Sequence, residues 1–218
     1  MSCTLLPVLV KAQASFSIAT DGALMRNFSP KQKFWAVGQT VIADIHLDKK
    51  ESAYIWLSYF SPGRFSNRFV APAFDPLTSP SPVSVRVKGV WESREISVGW
   101  KHYFKGAHNA EDRWNLYGRA GFGLMFNRAS NSYATEVDTA VYDITSLPLQ
   151  GEHRFNRLTI DLAAGIEIDL GGKFYFYSEF RTAIPSSDYP APVLHQNKNI
   201  PLPLILAAGI RISFDPGY

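Results

Sequence analysis

From Arg157 to Leu170 the chain alternates. Leu158, Ile160, Leu162, Ala164, Ile166, Ile168 and Leu170 are apolar, with Thr159, Asp161, Ala163, Gly165, Glu167 and Asp169 between them. Period two marks a strand with two unlike faces. The longest apolar runs fall far short of the roughly 18–20 residues a membrane helix needs, but a membrane barrel gives no such run, because its apolar residues come singly. Alternation alone leaves one question open: the apolar face turns either inward onto a core or outward onto lipid.

Seven more segments read as strands and none as a helix: Ser15–Met25, Phe34–Leu47, Ser52–Phe60, Arg94–Phe104, Arg113–Asn127, Lys173–Ile184 and Pro203–Phe214. Most are longer than the usual 5–6 residues of globular strands and match tilted membrane strands. The connections carry more information. Asp48–Glu51, Lys105–Asp112 and Gly171-Gly172 are short, whereas Ser61–Ser93, Arg128–Asn156 and Pro185–Leu202 are long. An up-and-down barrel puts alternate connections at opposite ends, and short turns at one end with long loops at the other is the outer-membrane arrangement. None of the prolines, among them Pro62, Pro72, Pro76, Pro80 and Pro82, interrupts a proposed strand, as ladder hydrogen bonding requires. Val83–Val90 alternates strongly and either extends the fourth strand above the barrel rim or forms a hairpin.

The polar faces decide the reading. Glu95, Lys101, Arg119, Asp161, Glu167, Glu179, Arg181 and Arg211 alternate with Gly, Ala, Ser and Tyr, and His46 shares such a face. Small residues mixed with charges of both signs suit a narrow interior better than a free surface. There the ions need partners, because desolvation is costly. The opposite faces are apolar, and aromatics collect at the strand ends. Phe104, Trp114, Phe174 and Phe214 adjoin the short turns or the C-terminus, and Trp35 and Phe126 adjoin the long loops. Two aromatic belts at two bilayer interfaces are the expected reading. A soluble lipocalin-like barrel explains the alternation with its faces reversed, but not the loop lengths and aromatic belts together.

The start of the chain holds a short apolar run, Leu5–Val10, followed by Ala12-Gln13-Ala14, an A-x-A cleavage pattern. Residues 1–14 therefore read as a truncated export segment and 15–218 as the barrel domain. The one cysteine, Cys3, leaves with that segment, so disulfides play no part in the expected fold. A net charge of +3 is too small to argue for nucleic acid.

The stretches ISVGWKHYFKG (Ile96–Gly106), WNLYGRAGFGLMF (Trp114–Phe126) and LILAAGIRISF (Leu204–Phe214) resemble the small eight-stranded outer-membrane barrels of the outer membrane protein A, X and W kind, including the outer-membrane barrels of Bacteroidetes-type bacteria. The resemblance implies an all-β, eight-stranded antiparallel up-and-down transmembrane barrel in a Gram-negative outer membrane, with both termini in the periplasm. It also implies that the last strand, ending at Phe214 or Tyr218, is read by the assembly machinery.

No catalytic motif emerges. His102 lies near Trp100 on the apolar face with no obvious strand partner and reads as a belt residue, although some outer-membrane barrels are lipid-modifying enzymes. His108, His153 and His195 lie in connections and read as solvated, and no pair of histidines has metal-site spacing. Gly118, Gly121 and Gly123 are followed by no helix and form no nucleotide fingerprint. Arg64, Arg68, Arg86 and Lys88 make the long second connection mildly basic, a feature that fits contact with anionic lipopolysaccharide and equally a solvated loop. The expected role is structural, adhesive or loop-mediated binding around a lumen filled by side chains. The partners are outer-membrane lipid, lipopolysaccharide, the assembly machinery and an extracellular ligand; no cofactor, metal or enzymatic activity is expected. A narrow pore or small hydrophobic-ligand conduit is the main alternative.

Overall fold

A computed structural model describes residues 15–109, 113–186, 192–195 and 202–214. The expected export segment, 1–14, and the tail 215–218 lie outside the described residues.

Eight strands run β1 (Ser15–Asn27), β2 (Phe34–His46), β3 (Glu51–Ala71), β4 (Val83–Lys105), β5 (Trp114–Tyr133), β6 (Gly151–Gly171), β7 (Phe174–Pro185) and β8 (Pro203–Phe214). Each pairs antiparallel with its sequence neighbour, and β8 closes on β1. Following partners once around links Ser15, His46, Ser52, Lys101, Arg119, Ala163, Arg181, Ile205 and Met25. The path returns to β1 ten residues above its start, and that stagger tilts the strands by about 40°.

The faces answer the question raised by the alternation. Phe122 is 71% exposed and Leu206 57% exposed, whereas Arg211, Lys101 and Asp161 are fully buried. Greasy side chains clothe the outside and ionic ones fill the middle. Lipid offers no water to an open strand edge, and the closed ring leaves none within the shared barrel.

Aromatics mark both ends of the apolar wall. Phe16, Phe104, Trp114, Phe174 and Phe214 stand at the short-turn end, and Phe16 stacks on Phe214 at 4.8 Å across the closing seam. Trp35, Tyr59 and Phe126 stand at the other end, where Arg26 lies 5.0 Å over Trp35 and Arg94 lies 5.5 Å over Tyr59. The belts are about 25–30 Å apart, allowing for rise and tilt, which matches a hydrocarbon core.

Four strands outrun the expected ones. β3 to β6 continue past the belt of Trp35, Tyr59 and Phe126, the outer belt as opposed to the inner belt at the short turns, as a four-stranded sheet, so the long connections shrink to 72–82 and 134–150. Val83–Val90 is the upper part of β4 and pairs with the upper part of β3. Pro62, expected in a loop, lies inside β3. A register shift between Phe60 and Gly63 takes it out of the ladder, and β2 no longer flanks β3 there, so its missing N–H costs no bond. The inner face of the protruding sheet is covered by its own connections, with Leu147 and Ile144 packed on Val85, Val87 and Phe69.

Candidate functional site

The period-two pleat points every second side chain of each strand into the lumen, and the stagger brings distant strands to one level. In the lower half, charges interlock. Lys101 donates to Glu167 at 2.6 Å and lies 3.7 Å from Asp44. Arg119 bridges Asp44 and Glu179, each at 2.8 Å. Arg181 joins Glu179 at 2.5 Å and Asp21 at 2.6 Å. Arg211 reaches Glu167 at 3.1 Å and the His108 carbonyl at 2.9 Å. The hydroxyls of Tyr103 and Tyr177 donate to Glu167 and Asp21. Glu95 and Asp161 are buried side by side, and Thr159 donates to Glu95.

Asp21 and Asp44, both central to this net, are missing from the eight residues singled out by sequence. Both alternate with outward-facing neighbours along their strands, but only the register shows that each meets an arginine. The upper half of the lumen holds an apolar cluster that sequence reasoning missed. Phe34, Phe60, Trp91, Phe155 and Met25 pack together beneath Val193 and Leu194 of the last long connection.

His195 is buried against that plug rather than solvated. The Asn67 side-chain amide donates to its Nδ1 at 2.7 Å, and its Nε2 donates to Asn131 Oδ1 at 3.1 Å, with Phe65 and Phe69 edge-on to the ring. Burial pushes the imidazole down to about 4, so it stays neutral in the fold. A histidine held neutral supports this docking above its ordinary value of 6.5, and the support is lost as pH falls from there to about 4. Proteolysis of the last connection is expected to accelerate across that window, and His195→Phe should flatten the dependence.

Three other histidines also depart from expectation. His153, expected in a connection, lies half-buried inside β6 and stacks on Phe155 at 6.2 Å. His108 is buried and stacks on His46 at 4.2 Å near the short-turn end. His102 has a partner: Glu51, directly opposite on β3, lies 2.5 Å from its Nδ1, and Trp100 Nε1 donates to the same carboxylate. The 33-residue connection Ser61–Ser93 expected between β3 and β4 had hidden this pairing, because it left their register undetermined. The arrangement ties an acidic turn residue to the inner belt.

Above the outer belt, the outward face of β3 and β4 carries Arg64, Arg68, Arg86 and Lys88, all exposed. Arg68 lies opposite Arg86, and Ser66 opposite Lys88. Arg64, Ser66, Lys88, Ser130 and Ser132 line a groove of about 580 Å³. None of the four cations is in an ion pair among the described residues. Arg128, lower on β5, is engaged by Glu152 and Glu92.

No protein-family model and no curated protein matches the chain. Solved structures do. Ail, the attachment invasion locus protein of Yersinia pestis, in complex with the heparin analogue sucrose octasulfate, aligns with a TM-score of 0.51 at 10% identity, covering 93% of this chain and 99% of Ail. OprG from Pseudomonas aeruginosa aligns at 0.49 and 11%, covering 93% and 96%. Neisserial surface protein A aligns at 0.47 and 14%, covering 91% and 97%. The likeness to Ail shows a shared fold: this chain folds as the small eight-stranded outer-membrane barrels do.

Proposed function

We propose that the chain is a closed, non-catalytic outer-membrane barrel that binds clustered anionic esters on the outward face of its protruding sheet. The observation that carries this is the arrangement of Arg64, Arg68, Arg86 and Lys88 on two paired strands. Like charges placed directly across a sheet destabilise it, so Arg68 opposite Arg86 does the fold no service. A polyanion reverses the sign of that term, and the serine hydroxyls of the adjoining groove supply neutral donors to the same oxygens. Binding of a polysulfated sugar by Ail, a protein of the same fold, supports the reading. In this reading the termini and short turns lie in the periplasm, residues 1–14 serve export, and β8 is the strand presented to the assembly machinery.

Two sources offer the chemistry, the phosphates of lipopolysaccharide in the same membrane and sulfated polysaccharides outside it. Refolded protein is titrated calorimetrically with sucrose octasulfate and, separately, with lipopolysaccharide. Substituting all four cations by Gln should abolish whichever signal is present, and raising salt should weaken it, since exposed charges are screened. Equal binding by the fourfold variant overturns the assignment.

The filled lumen supports a closed barrel over a pore. Ion current must cross both the apolar plug of Phe34, Trp91 and Phe155 and the interlocked charges below it. Planar bilayers holding the protein are expected to stay silent, and stable unitary steps would favour the pore.

A further inference from the structure

Halfway down the lipid-facing wall stands an amide. Gln39 points outward from β2, four residues below Trp35 of the outer belt, at a depth of about 10 Å into the hydrocarbon. Its Nε2 donates to Thr20 Oγ1 at 3.2 Å, the one hydrogen bond the side chain makes among the described residues. A primary amide has two donors and two acceptor sites, so one N–H and the carbonyl remain unused. Other outward polar side chains at this depth are settled locally: Ser178 donates to the Ala207 carbonyl at 3.2 Å and Thr182 to the Pro203 carbonyl at 2.8 Å. Polar groups in a bilayer that face no lumen mark contact with another polar group.

Gly22, opposite Gln39 on β1, points the same way. A Cβ built there meets nothing within 4 Å, whereas one at Gly38, Gly99, Gly121 or Gly209 meets neighbouring atoms. Nothing inside the barrel requires a glycine at 22, and glycine weakens a strand. Ala208 lies opposite Gly22 on β8, and Thr20, Gly22, Gln39 and Ala208 border a shallow outer groove of about 430 Å³. Small residues let two backbones approach closely in lipid, and polar side chains then bond across the gap.

We infer that two copies of this chain pair side by side through the β8–β1–β2 wall, with the Gln39 amides bonded to each other across a two-fold axis along the membrane normal. The occupant follows from the chemistry. An amide carries its own complement, donor to acceptor. Copies inserted in one orientation bring Gln39 to Gln39 at the same depth, and such an interface is isologous and closes as a dimer. The inference rests on the barrel lying in a membrane but not on anion binding.

The test uses Val37→Cys, outward and one turn of the pleat from Gln39, in a Cys3→Ser background, oxidised in native membranes. A crosslinked band of twice the monomer mass is expected, with none from Phe122→Cys on the opposite wall. Adding Gln39→Leu should cut the yield about tenfold, the loss of one to two bilayer hydrogen bonds. Gly22→Leu, whose Cβ meets nothing within 4 Å in the monomer and whose side chain occupies the groove, should cut it as far while Gln39 remains. Heat-modifiable migration of the same samples reports folding, so a failed barrel is told apart from a failed dimer. A yield unchanged in folded Gln39→Leu and Gly22→Leu overturns the inference, and so does a crosslinked band of any other mass.

Discussion

Glu167→Ala is expected to lower the unfolding free energy of the barrel by about 3–5 kcal/mol, the cost of leaving buried charges uncompensated. Glu167 is the carboxylate of Arg211, at 3.1 Å, and the hydrogen-bonded carboxylate of Lys101, at 2.6 Å. Once it is removed, Arg211 keeps the His108 carbonyl, and Lys101 keeps Asp44 only at 3.7 Å. Both cations are fully buried, so water cannot replace the lost oxygens without entering the lumen. The control is Glu95→Gln. It exchanges a carboxylate beside Asp161 for an amide that can donate to it, and a change under about 1 kcal/mol is expected. Urea titration of the protein refolded in lipid vesicles measures both. Equal, small effects would mean that the ionic net does not hold the barrel shut.

Phe122→Arg should cost about 2–4 kcal/mol in vesicles, the penalty for a cation on the lipid face near the bilayer midplane. Leu77→Arg, in the connection above the membrane at 89% exposed, should change stability by no more than about 0.5 kcal/mol. Both side chains are open to the surroundings, so a barrel standing in water would treat the two substitutions alike. The contrast therefore reads the solvent of the outer wall directly. Similar small losses at both positions would place Phe122 in water and remove the membrane from the account.

The remaining histidine chemistry follows the same division between membrane and water. His195 titrates outside the lipid and governs a connection; His102 sits at the inner belt, tied to Glu51. Each is held by side-chain partners, His195 by Asn67 and Asn131 and His102 by Glu51.

What the sequence determined by itself is local. Side-chain period sorted Lys101, Glu167 and Arg211 to one face and Leu206, Ile210 and Phe122 to the other, because alternation is fixed by the pleat of each strand alone. Turn lengths ordered the strands into a ring. What only the tertiary structure decided is what depends on stagger summed over eight strands. Glu167, shared by Lys101 and Arg211, lies on β6, and the partners of Arg119 lie on β2 and β7, at sequence separations of 44 to 75 residues that no local pattern encodes. The upper part of β3 escaped the reading for a related reason. Serine, proline and glycine from Ser61 to Gly63 signal a turn in isolation, and a bulge on an unflanked strand absorbs them into the sheet. The apolar plug was equally hidden, since Phe34, Trp91, Phe155 and Leu194 come from four distant segments that meet only when the ring closes.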